Sequence, residues 1–235
     1  MLDSSAHRAA AIDCGDLYER TRRDLIRLVT QLDADLLTVR VPATPEWQVR
    51  DVVAHVVGIT ADLNALRFGT ADPDEWTRRQ VEARRGRSLE AIIGEWDGEA
   101  PRFEDGLRVL GYEIGSHYVA DLHAHLCDVR SALGLSSERH DTTVWVSLDF
   151  YLGSLDEGLR AAEQGAVEVF VGDEHHLAGT GGLRAAVRGE PFEVLRALSA
   201  RRSRNQIRTL DWSGDVEGVL EHFARYPLPQ RDQYD

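Results

Sequence analysis

His55 ends the stretch Thr44-Pro45-Glu46-Trp47-Gln48-Val49-Arg50-Asp51-Val52-Val53-Ala54-His55, and Asp121 stands one helical turn before His125 in Asp121-Leu122-His123-Ala124-His125. Two imidazoles and a carboxylate suffice to hold a divalent metal ion while leaving coordination positions open for a reactant. Such a centre would activate a thiol or a water molecule. The requirement is spatial. The two segments lie far apart in the chain, so two different elements must deliver these side chains to one place.

Both segments read as helix. From about Val49 to Phe68, closed by Gly69, the residues Val52, Val56, Ile59, Leu63 and Leu66 surround His55 on one face and direct its imidazole inward. Over about 114–134, ended by Gly134, Asp121 and His125 are four apart and share a face, with His117 and Asp128 on the same stripe. Tyr118, Leu122, Leu126, Val129 and Leu133 form an apolar stripe beside it. Ala120, Ala124, Cys127 and Ser131 form a small-residue stripe on the other side, which suggests a closely packed neighbour. His123 and Arg130 point roughly opposite to Asp121.

Further helices are expected over 13–32, 75–97 and 142–164, with Pro42 and Pro45 breaking the chain after the first. After Gln164-Gly165 the pattern changes: Ala166-Val167-Glu168-Val169-Phe170-Val171 alternates with strand period. Residues 174–178, 183–188 and 205–210 are strand candidates, and helices are expected from Pro191 to about Ser199 and over 215–225. A boundary near residue 165 therefore separates a helical bundle, 1–165, from a smaller α/β domain, 166–235.

Plainer readings stand beside the metal site. A lone buried histidine is more often a hydrogen-bonded core residue, because an unpartnered ring nitrogen costs on the order of 1–3 kcal/mol. An acidic residue four before a histidine is commonly a surface pair. The residues alone leave both readings open. Trp47 is expected to pack at the helix entrance, and Cys127 to be a buried packing residue, so a nucleophilic sulfur would come from outside the protein. His175 and His176 alternate across a strand and cannot chelate together.

The 235 residues can bury a real core, and the formal charge of -13 argues against a nucleic-acid partner. Every basic residue other than histidine is Arg. The clusters at Arg84-Arg85 with Arg87 and at Arg201-Arg202 with Arg204 read as solvated faces or small-anion contacts. Two widely separated cysteines, Cys14 and Cys127, make no disulfide framework. No apolar run approaches the ~18 residues of a membrane span, and the N-terminus lacks a signal-peptide pattern, so a cytoplasmic protein without a membrane partner is expected. The oligomeric state is not legible.

The Pro-x-Trp-x-Val-Arg-Asp-Val-Val-Ala-His run ending at His55 resembles the N-terminal domain of the mycothiol-dependent maleylpyruvate isomerase family, a branch of the DinB-like metalloprotein superfamily. The run Asp121-Leu122-His123-Ala124-His125-Leu126-Cys127-Asp128-Val129-Arg130, followed by Ala132-Leu133-Gly134, resembles that family's second signature. Gly189-Glu190-Pro191-Phe192-Glu193-Val194-Leu195-Arg196-Ala197-Leu198-Ser199, continuing to Asp211-Trp212-Ser213-Gly214-Asp215, is similar to the C-terminal domain of many members.

The resemblance implies a DinB-like four-helix bundle with a smaller α/β domain, and a divalent metal, usually zinc, held here by His55, Asp121 and His125. It implies a low-molecular-weight thiol such as mycothiol as cosubstrate and a small electrophile as substrate. In the family's isomerase reaction the thiolate adds to the conjugated double bond of maleylpyruvate, the bond rotates, and elimination leaves fumarylpyruvate; in its transferase branch the thiolate stays attached to the electrophile. At such a centre Asp128 would orient a ligand or accept a proton, its plainer role being an N–H acceptor or a salt bridge with a neighbouring Arg; Arg201 or Arg202 would grip carboxylates of substrate or thiol, the plainer reading being a surface role. The characterised isomerase has glutamate where this chain has Asp121, so the shorter carboxylate requires a closer approach of its helix. A non-catalytic metal-binding or regulatory module of the same fold, or a metal-dependent hydrolase, are the alternatives.

Overall fold

A computed structural model describes residues 4–69 and 72–235. The chain forms two compact units: Ile12–Ser136, and a second made of helix α1 (Ser4–Ala11) with Ser137–Asp235.

In the first unit, α2 (Cys14–Thr30) leads through a hairpin of β1 (Arg40–Val41) and β2 (Thr44–Gln48) into α3 (Val49–Asn64). The short α4 (Pro73–Glu82) follows, then the long α5 (Leu89–Leu110) and α6 (Tyr112–Ala132). Helices α2, α3, α5 and α6 make the four-helix bundle, and α4 lies against α3. Their starts are capped as the sequence allows: Asp13 accepts from the Asp16 amide at 3.0 Å, and Ser88 from that of Ala91 at 3.2 Å. Helix α3 is central, buried without interruption from Asp51 to Ala61. Leu25 and Val29 of α2, Ile92, Trp96 and Leu107 of α5, and Val119 and Leu122 of α6 fill the core around it. Cys14 and Gly115 show how closely α2 and α6 meet, since a methyl added at Gly115 would overlap the Cys14 side chain. Inside this apolar packing Arg22 donates to Glu104 at 2.8 Å and to Asp97 at 2.7 Å.

In the second unit, α7 (Thr142–Ala161) packs on a four-stranded sheet and on α8 (Pro191–Leu198). The strands β3 (Ala166–Val171), β4 (Glu174–Gly179), β5 (Leu183–Gly189) and β6 (Asp211–Gly214) run in the order β4-β3-β5-β6, with β3 and β5 parallel and the other pairs antiparallel. Val167, Val169 and Val171 bury one face, as the period-2 alternation requires. Two short helices, α9 (Arg204–Arg208) and α10 (Val216–Phe223), complete the unit. Arg8 of α1 is tied to Asp149 of α7 and Glu174 of β4.

Four expectations change. The division between units falls at 136/137 rather than near 165, because α7 packs on β4 and α8. The charged segment 75–97 is two helices, parted where Ser88 starts a new one. The proline-rich stretch before α3 is a hairpin, with Pro45 on a strand that has only one neighbour. Residues 205–210 are helix α9 and a turn, not a strand: Ser203 accepts from the Gln206 amide at 3.2 Å while Gln206 Oε1 accepts from the Ser203 amide at 2.9 Å. Among the described residues no helix is long and apolar enough to cross a membrane.

Candidate metal centre

Helices α3 and α6 meet where their sequences place imidazoles. His55, Asp121 and His125 each offer a ligand atom, and these atoms lie within 4.8 Å of one another. Nε2 of His125 is 3.8 Å from Oδ1 of Asp121. Both histidines are buried and Asp121 is half-buried. In the tetrahedral geometry zinc prefers, two donors at about 2.0–2.2 Å from the ion stand ~3.4 Å apart. The side chains therefore have to draw together by on the order of 1 Å to close on an ion.

The rings are arranged as a cluster. His55 and His125 meet edge-on with centroids 5.0 Å apart, and the Trp47 ring lies 4.9 Å from His55 and 6.1 Å from His125. Trp47 thus does more than pack the entrance to α3: the β1–β2 hairpin lays its indole beside both imidazoles. That apolar wall strengthens electrostatic interactions at the donor atoms by excluding water.

An oxygen lies near Nδ1 of each imidazole. His125 Nδ1 is buried and makes no hydrogen bond, and Oδ2 of the fully buried Asp128 lies 3.6 Å from it. His55 Nδ1 is 2.9 Å from Oε1 of Gln80, itself buried on α4. The donor set and the oxygens near both Nδ1 atoms fit a divalent metal of the zinc type. Two tyrosines approach the same carboxylate. Burial first, and then the charge of Asp121, push the Tyr18 and Tyr118 hydroxyls above the ordinary phenol range, so neither is an anionic nucleophile at neutral pH.

The other expected residues fall as follows. Cys127 is buried and lies 3.5 Å from Nε2 of the buried His123. Burial, with a smaller effect from Asp13, pushes the Cys14 thiol up to about 11, so it too is unsuited to nucleophilic work. His175 pairs across the sheet with Phe170 and His176 with Val169, which sets the two rings on opposite faces. Arg201 and Arg202 belong to the other unit. Arg202 is buried and spends its donors on Glu193, Asp235 and the Arg201 carbonyl. Arg201 donates to the Ser199 carbonyl at 2.7 Å. Gln80 is the residue that sequence reasoning missed, because nothing in the charged α4 segment marks one amide as facing inward.

Residues 18–113 match the family model for the mycothiol maleylpyruvate isomerase N-terminal domain, a span that includes His55 and stops before Asp121. No curated protein matches the chain. Two solved structures share its fold. The mycothiol-dependent maleylpyruvate isomerase superposes with a TM-score of 0.60 at 13% identity, over 87% of this chain and 94% of that one. A histidine-to-alanine mutant of such an isomerase gives 0.59 at 12%, with the same coverage. The architecture expected from the sequence, a four-helix bundle with a smaller α/β part, is therefore the observed one, and the family resemblance is borne out over residues 18–113.

Proposed function

We propose, from the membership of residues 18–113 in the mycothiol maleylpyruvate isomerase N-terminal domain family, that this protein is a metal-dependent enzyme using a low-molecular-weight thiol as nucleophile. The reaction is cis–trans isomerisation of maleylpyruvate or transfer of the thiol to a related small electrophile. The observation that carries the reading is the convergence of His55, Asp121 and His125 from two helices onto one spot. A bound zinc ion would supply positive charge that stabilises a thiolate against the ordinary thiol pKa of about 8.5.

The protein's own groups have separable tasks in this reading. His55 and His125 offer neutral nitrogens and Asp121 the compensating charge. Trp47 keeps water from one side. Asp128, behind His125, is a positioning residue. Arg201 or Arg202 is assigned to grip a carboxylate of substrate or thiol, and Arg202 also pairs with Glu193 and Asp235. The alternatives of a hydrolase or a non-catalytic module predict different responses to thiol.

The test is metal analysis of purified protein, followed by turnover of maleylpyruvate with and without mycothiol. Stoichiometric zinc, thiol-dependent turnover, and loss of both in a folded His55→Ala variant are expected. Turnover indifferent to thiol would move the assignment to hydrolysis, and a metal-free, thiol-indifferent protein would refute it.

A further inference from the structure

We infer that Gln80 is a positioning residue that fixes the proton of His55 on Nδ1 and thereby turns Nε2 toward the metal site. The inference rests on the metal reading above but makes its own claim about the metal-free protein. Its basis is a chain of hydrogen bonds in which each direction is forced by the next.

The chain starts at Asp62. Its Oδ1 accepts from Arg67 Nε at 3.0 Å, and its Oδ2 accepts from Trp76 Nε1 at 2.9 Å and from Gln80 Nε2 at 3.1 Å. An ionised carboxylate only accepts, and an indole N–H only donates. The Gln80 amide must therefore direct its NH2 at Asp62, which leaves Oε1 facing His55 Nδ1 at 2.9 Å. A carbonyl oxygen cannot donate, so Nδ1 carries the hydrogen. The metal-binding lone pair is then on Nε2. Were the amide reversed, its oxygen would face the Asp62 carboxylate, two acceptors with no hydrogen between them.

The backbone is shaped for this contact. His55, Gly58 and Asp62 fall on one stripe of α3, three and seven residues apart. A methyl added at Gly58 would overlap Cβ and Cγ of Gln80. Only glycine lets α4 come close enough for the Gln80 side chain to reach both the histidine before it and the aspartate after it. Arg84 holds the end of α4 through the Gln80 carbonyl at 3.0 Å and through Glu95.

The experiment reads the histidine nitrogens directly. Metal-free protein labelled with 15N-histidine gives long-range 1H–15N correlations above the ordinary histidine pKa of about 6.5, with His55 assigned by its loss in His55→Ala. Wild type is expected to show a protonated Nδ1. Gln80→Leu and Gly58→Ala should shift the proton to Nε2 and weaken zinc binding, by competition with a chromogenic chelator, about 10- to 100-fold. Gln80→Glu combined with Asp62→Asn, which keeps an acceptor oxygen opposite Nδ1 and a donor–acceptor contact at the other end, should restore the wild-type pattern; a role in packing alone would not separate Leu from Glu. A bare Nδ1 in wild type, or a wild-type pattern in folded Gln80→Leu, overturns the inference. The expected pattern in a protein that binds no zinc supports it while refuting the metal reading.

Discussion

Replacing Arg22 with alanine tests how the bundle tolerates charge in its core. Arg22 and Glu104 are both buried, with side-chain exposures of 8% and 6%, and meet at 2.8 Å, while Asp97 is 59% exposed. The Asp97 link contributes ~0–1 kcal/mol, as exposed pairs do. Glu104 decides the outcome, because a buried carboxylate left without its partner costs about 3–5 kcal/mol. The guanidinium also lies 5.9 Å from the centre of the Trp96 ring, which adds ~0.5–1 kcal/mol. The sum is roughly 5 kcal/mol, or a urea midpoint lowered by about 2.5 M at a slope of ~2 kcal/mol per molar.

The pH dependence follows from Glu104. Burial raises its carboxyl above the ordinary 4.5 even against the opposing hydrogen bond and charge of Arg22. A carboxyl raised in the folded state contributes most below its unfolded value and loses that contribution as pH rises through the folded one. Removing Arg22 raises it further, so the deficit of Arg22→Ala should be small in acid and grow from about pH 4.5 towards neutrality. Urea titrations followed by circular dichroism, at acid and neutral pH, measure this. Adding Glu104→Gln should return most of the loss. A neutral-pH deficit under about 1 kcal/mol, or no rescue by Glu104→Gln, would refute the picture of a carboxylate held in the core by one cation.

Two further outcomes are expected. If His55, Asp121 and His125 hold zinc as proposed, Asp121→Asn takes away one of three ligands and their one negative charge; with structural zinc worth ~10–16 kcal/mol over four ligands, zinc affinity should fall more than about 100-fold in chelator competition, and unchanged affinity would remove Asp121 from the site. In the second unit, burial works to raise Glu193, but the hydrogen bonds and charges of Arg202 and Arg139 outweigh it and hold the carboxyl below 4.5. A depressed carboxyl stabilises above its unfolded value and loses that contribution as pH falls through the folded one, so thermal stability should drop below about pH 4.5 and Glu193→Gln should flatten that drop; an unaltered acid limb would count against it.

Much of the site could be read without coordinates because its periodicity is local. Asp121, His125 and Asp128 follow one another at spacings of four and three residues, about one helical turn each, so any helix over that segment places them on one face whatever packs against it. The apolar residues around His55 likewise turn it inward before any partner helix is known. Other signals were present but outweighed: Ser203 and Gln206 spell a capping box at the start of a segment whose β-branched Ile207 and Thr209 suit a strand, and Ser88 marks a helix start within a charged run. Helix α7 carries an ordinary amphipathic pattern, and nothing in it says which of two hydrophobic surfaces it will cover.

What the chain determined by itself was therefore which residues are candidates for the site and the face each occupies, since a side chain's direction along a helix depends only on residue spacing. What tertiary structure alone decided was which elements meet. The indole beside the two imidazoles, the amide of Gln80 behind His55 and the assignment of α7 to the second unit all depend on contacts between distant segments. Such contacts form wherever the summed burial of apolar surface is greatest, and that sum is a property of the whole fold rather than of any window of sequence.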